Sequence, residues 1–197
     1  MDIKFVEERY SKMSDEELIR ISTTNAKGLR PEVFGIIENE VKKRNLNPDI
    51  LKGAKAQNKE YTLEEVSAYS NQLRDLACPI CKSNSNKLNG TTTHKVKSFI
   101  LFSSYDVETI IACPTCLNKK NNDAMISTVL LGWWGIPWGL INTPRYLLRN
   151  FNAKKHIRDV EPNDALLAFT LENIGQLETY KNQPEKLSTL LEPERFL

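Results

Sequence analysis

Residues 78–116 read CPICKSNSNKLNGTTTHKVKSFILFSSYDVETIIACPTC, and the reading of this stretch decides the expected fold. It opens on Cys78-Pro-Ile-Cys81 and closes on Cys113-Pro-Thr-Cys116, with 31 residues between the pairs and no other cysteine in the chain. Two cysteines at this spacing can present both thiolates from one tight turn, where following backbone N–H groups stabilise the sulfur charge. Two such turns complete a tetrahedral set of four sulfurs, which suits Zn2+. Residues 91–112 are rich in Thr, Val, Ile, Phe and Ser, a strand-forming composition. SSYD at residues 103–106 offers a turn between KVKSFILF and VETIIA, so a β-hairpin is expected to bring the two cysteine pairs together. The expectation is a C4 zinc ribbon with Cys78, Cys81, Cys113 and Cys116 as ligands. Four thiolates leave no position for water or substrate, so such a metal is structural and not catalytic. The competing readings are a redox C-x-x-C pair, which needs no matched second copy, and two disulfides, which need an oxidising compartment. The histidines, His94 and His156, read as surface residues.

Outward from the ribbon, helix signals dominate. SDEELIRIST opens on a capping box, Ser14 with Glu17. LRPEVFGIIENEVKKRNL has Pro31 in its first turn, an apolar face of Val33, Ile36, Ile37 and Val41, and cations in its last turn. These two make an N-terminal helical hairpin. NPDILKGAKAQNKE reads as a polar connection. TLEEVSAYSNQLRDLA repeats the capping box with Thr62 and Glu65 and runs into Cys78. Towards the end, PNDALLAFTLENIGQLETY predicts one helix capped by Asn163, and PEKLSTLLEPERFL a short final helix or a tail. The fold class is α+β, in four regions. Residues 1–60 are helical, 61–122 are a helix plus ribbon, 123–151 are a hydrophobic Trp-rich hairpin, and 152–197 hold C-terminal helices.

The chain has 197 residues, a net charge of +2 and 26% charged residues, which is too balanced to advertise a nucleic-acid partner. Its mean hydropathy of −0.44 describes a polar chain. The N-terminus is charged from its second residue and lacks the apolar core of a secretory signal. Residues 113–160 carry seven bases against two acids, whereas residues 161–197 carry seven acids against three bases.

All three tryptophans fall in LLGWWGIPWGLINTP, residues 130–144, inside a run of 21 uncharged residues from Ala124 to Pro144. That run is long enough to cross a bilayer of ~30 Å. Pro137 and the glycines break it, so two pieces are expected: a helix from about Asp123 to Trp134 and another from Pro144 to about Phe151. Ile126, Val129, Leu130, Trp133 and Trp134 form one stripe at helical spacing. Thr128, Gly132, Gly135 and Gly139 permit close packing of one segment on another. Bases flank both ends, which favours an interfacial or re-entrant hairpin over a crossing. Trp133, Trp134 and Trp138 would then lie at the membrane interface, with Arg145 and Arg149 near anionic headgroups. Two other readings are open: the stretch is the core of the protein, or a groove for a protein partner.

The CPIC and CPTC knuckles followed by GWWGIPWG resemble those of poorly characterised bacterial zinc-ribbon proteins with a GWWGxPWG-like segment. The resemblance covers residues 78–151. It implies a bacterial, intracellular, membrane-proximal protein and no catalytic activity. No P-loop, G-x-G-x-x-G or G-x-S-x-G motif is present. The reading is therefore a non-enzymatic adaptor. It is cytoplasmic, peripheral or re-entrant at the inner membrane, and it presents an aromatic segment to a membrane surface or a protein partner. The alternative is a soluble ribbon that binds nucleic acid or protein and keeps the tryptophans in its core. Lys95, Lys97, Phe99, Phe102 and Tyr105 are the candidates for nucleic-acid contact, although residues 61–112 hold five bases and five acids and so lack a basic footprint.

Overall fold

Ser14, Thr62 and Asn163 each stand just before a helix, as their capping signals predict. The computed structural model describes residues 3–99, 102–135 and 137–192, apart from the side chains of Phe99, Phe102 and Ser103. In chain order the elements are α1 (Ile3–Ser11), α2 (Asp15–Thr24), α3 (Pro31–Lys43), α4 (Asp49–Ala56), α5 (Leu63–Arg74), β1 (Asn89–Phe99), β2 (Phe102–Ala112), α6 (Pro114–Leu131), α7 (Trp138–Lys155), α8 (Asp164–Glu172), α9 (Ile174–Tyr180) and α10 (Pro184–Leu190). The mixture of many helices with one antiparallel strand pair is an α+β architecture. Two compact units share the chain: Met1–Tyr69 with Thr170–Leu187, and Ser70–Phe169 with Ser188–Leu197.

In the first unit, the Ser14 hydroxyl accepts from the Glu17 N–H, and Thr62 and Glu65 exchange hydrogen bonds in both directions. Leu18, Val33, Ile36, Ile37, Val41, Ile50 and Ala54 close around Tyr10 and Met13 as its core. Arg44 fastens the α1–α2 turn. Its guanidinium donates to Glu40 at 2.7 Å, to Asp15 at 3.1 Å, and to the carbonyls of Tyr10, Ser11 and Met13. The expected polar connection after residue 46 is instead α4. The small residues Gly53 and Ala54 let it lie against α9 nearly backbone to backbone, and a methyl group at Gly53 would fall on the Gly175 carbonyl and the Thr179 hydroxyl. Tight tertiary packing thus overrides weak local propensity. The expected single helix after Asn163 is broken at Asn173, where α8 gives way to α9. The Asn163 cap is present, with its Oδ1 accepting from the Leu166 N–H at 3.1 Å.

In the second unit, β1 and β2 pair antiparallel with Phe99 opposite Phe102 and Asn89 opposite Ala112. SSYD belongs to β2 instead of forming the turn, and residues 100 and 101 separate the two strands in sequence. Those two residues, like 193–197 of the expected tail, lie outside the described residues. Helices α6 and α7 pack on β1. α6 starts at Pro114, earlier than expected, because Cys113 is its N-cap. α6 ends at Leu131, and α7 starts at Trp138 and carries Pro144 within it. Pro144 removes one helical hydrogen bond without ending the helix.

Candidate metal centre

The two C-P-x-C pairs reach the same point by different local routes. Cys78 and Cys81 lie on a turn closed by the Lys82 N–H to the Cys78 carbonyl at 2.8 Å and by the Cys78 N–H to the Ser83 carbonyl at 3.0 Å. Lys82 holds a left-handed backbone with φ of 58° to make that reversal. Cys113 and Cys116 instead occupy the N-terminus of α6, with Pro114 pre-set for its first turn. Thiolates there lie at the positive end of the helix dipole.

The four ligand sulfurs all lie within 4.8 Å of one another, and Cys81 Sγ is 3.7 Å from Cys113 Sγ. A tetrahedron of sulfurs at the 2.3 Å zinc–thiolate distance has edges of ~3.8 Å, which the Cys81–Cys113 pair matches and the widest pair would reach by closing at most ~1 Å. Burial works to raise the Cys78 thiol, but the N–H groups of Cys113, Cys81 and Ile80 aimed at its sulfur prevail and bring it down to about 7. Cys113 and Cys116 are pushed up, first by burial and then by neighbouring sulfurs. A cation among them would relieve that crowding of sulfurs. The four cysteines can hold a metal ion.

The remaining candidates lie beyond the C-terminal end of α6 and on α7. α6 has 18 residues, so its first cysteine turn and its last apolar turn are ~27 Å apart. Trp133, Trp134 and Trp138 are 41%, 68% and 62% exposed and therefore do not form the core of this chain. The stripe of Ile126, Val129, Leu130, Trp133 and Trp134 exists, and all of it faces out. α7 is patterned likewise. Leu140, Ile141, Leu148 and Phe151 are exposed, whereas Gly139, Thr143 and Asn150 are buried. Thr128, Gly132 and Gly135 are buried beside them. Arg145 and Arg149 are exposed on α7, and Arg149 lies 5.6 Å from the centre of the Tyr146 ring. No helix among the described residues is long and apolar enough to cross a membrane.

Two of the nucleic-acid candidates make contacts within the chain, and Lys97 is exposed. Lys95 pairs across the hairpin with Asp106 and Glu108, and Tyr105 stacks on Tyr146. The side chains of Phe99 and Phe102 lie outside the described residues. His94 is not the surface residue expected. It is half-buried, with its ring against Tyr146 at 5.4 Å and its Nδ1 without a hydrogen-bond partner. His156 is exposed and bonds Asp159 at 2.9 Å. No signal in the sequence marks Arg74, which is 4% exposed. No known family model, curated protein or solved structure matches this chain.

Proposed function

We propose that this chain is a non-enzymatic zinc-ribbon adaptor that docks its tryptophan-bearing end on the anionic, cytoplasmic face of a bacterial membrane. The observation that carries the reading is the inverted patterning of α6 and α7. Their small and polar residues face the interior, and Ile126, Leu130, Trp134, Trp138, Ile141, Leu148 and Phe151 face out. So many large apolar side chains exposed on two neighbouring helices support an interaction site. Charge selects the partner. No Asp or Glu occurs between Asp123 and Asp159, while Arg145, Arg149, Lys154, Lys155 and Arg158 do. Arg145 lies ~10 Å and Arg149 ~16 Å along α7 from Trp138. Aromatic rings near the tip with cations further up suit entry into an anionic interface to ~5–10 Å. Zinc is the metal that four thiolates favour, and a closed coordination sphere supports a structural role for it.

The test is tryptophan emission of the zinc-loaded protein with and without anionic vesicles. A blue shift is expected with anionic vesicles and a smaller one with zwitterionic vesicles. Each basic residue near the surface contributes ~1 kcal/mol, so salt should weaken binding without abolishing it. Leu130→Asp with Trp134→Asp should remove binding and leave the unfolding midpoint nearly unchanged, because both side chains are exposed in the free protein. No emission change, with the wild type wholly in the soluble fraction of lysed cells, would overturn the reading.

A further inference from the structure

We propose that the second unit carries an oxyanion site, built around Arg74, that takes the phosphate of a small phosphorylated ligand. The site is independent of the membrane reading. Arg74 ends α5 and is 4% exposed, yet it lines an open cleft of about 390 Å³. Its Nε is buried without a hydrogen-bond partner. No ion pair among the described residues involves it. The adjacent acid, Asp75, pairs instead with Lys87 at 3.3 Å. A guanidinium is always charged, and a charge this deep without a counter-charge is strongly disfavoured. An anion in the cleft supplies what the protein lacks.

The rest of the cleft carries the same sign. Lys87 and Arg158 line it, and so does the first turn of α6 at Pro114 and Thr115. α6 is long enough to carry a full dipole, and the positive end of that dipole favours an anion there. The one carboxylate in the lining, Asp159, is bonded to His156. Arg74 and Arg158, with Lys87 shared with Asp75, stand against one occupied carboxylate and suit a phosphate, two of whose oxygens the planar Arg fork can bind. The cleft volume falls in the range of small-ligand pockets, so the phosphate would bring a small organic group with it.

Thermal unfolding of the full-length, zinc-loaded chain tests this. The titrants are inorganic phosphate and glycerol phosphate, with chloride at matched ionic strength as the control. At ten times the dissociation constant the wild type should gain about 3–6 °C. Arg74→Met should show no gain. In chloride alone it should unfold no earlier than the wild type, because it removes a buried charge that has no partner. Lys87→Gln and Arg158→Gln, both at exposed positions, should each weaken the response several-fold. The proposal is overturned if neither phosphate compound stabilises the wild type, if the Lys87 and Arg158 variants respond as the wild type does, or if Arg74→Met is destabilised in chloride. Vesicles play no part in this experiment, so its failure leaves the membrane reading standing.

Discussion

The carboxamide of Asn150 makes both hydrogen bonds that a neighbouring strand would make to His94. Its Oδ1 accepts from the His94 N–H at 2.8 Å, and its Nδ2 donates to the His94 carbonyl at 2.7 Å. Asn163 does the same for Gly90, accepting its N–H at 3.2 Å and donating to its carbonyl at 2.7 Å. The Thr128 hydroxyl accepts from the Val96 N–H at 3.3 Å. An open edge on a two-stranded sheet is a template for aggregation. Here side chains from the helical elements occupy it, and this is why the polar residues Asn121, Thr128, Thr143 and Asn150 are buried alongside Val96 and Leu117.

Asn150→Leu should therefore destabilise the protein by about 1–3 kcal/mol, since it leaves the His94 N–H unpaired and its carbonyl with only the Thr128 hydroxyl at 3.4 Å. Urea unfolding checks this, and a loss below about 1 kcal/mol would show that the edge is not held by Asn150. Asn150→Asp should fare no better, because it loses the donor and buries a charge.

Gly139 permits the close approach of α7 to the turn before it. A methyl group there would lie 2.5 Å from the Gly132 carbonyl oxygen, a backbone atom that cannot move aside cheaply. Gly139→Ala should cost about 1–3 kcal/mol despite the better helix propensity of alanine. Gly35 in α3 is the control, because a methyl there meets nothing within 4 Å. Gly35→Ala should stabilise by about 0.5–1 kcal/mol. Equal effects of the two changes in urea melts would refute the packing argument.

Purified protein should contain about one zinc per chain, as elemental analysis can show. Replacing Cys78, Cys81, Cys113 or Cys116 with Ser should release the metal and lower the unfolding temperature, because binding and folding are coupled. A chelator should act in the same way, and an unchanged melt after complete chelation would contradict a structural metal.

Acid should weaken the second unit through His94. Burial first, and Arg149 second, hold this imidazole below its ordinary value of 6.5 in the fold. The unfolded chain therefore takes up the proton before the folded one does. Stability is full above pH 6.5, declines as pH falls from there through the lowered folded value, and then levels. His94→Gln removes this contribution, so the gap between wild-type and variant stabilities should change only below about pH 6.5. Denaturant melts at pH 7.5, 6.5 and 5.5 would decide it, and parallel pH profiles would rule His94 out.

By itself the sequence determined the parts that depend on near neighbours. The two capping boxes, the Asn163 cap, the Pro31 start of α3 and the apolar stripe on α6 all follow from residues three or four apart, where local hydrogen bonds and helical periodicity act. The cysteine spacing likewise marked which four sulfurs could meet. Tertiary structure alone decided what those features face. Periodicity shows that Trp133 and Ile126 share a side of a helix, but only the packing of Thr128, Gly139 and Asn150 against β1 turned that side outward. The local turn propensity of SSYD lost to a strand register that spans the whole hairpin. The polar run of α4 became a helix because α9 was there to receive Gly53. Arg74 reads as an ordinary helix-end cation, and its burial depends on chain segments that converge on it from beyond α5. Signals carried by adjacent residues are legible in one dimension, whereas burial is set by which distant surfaces the chain brings together.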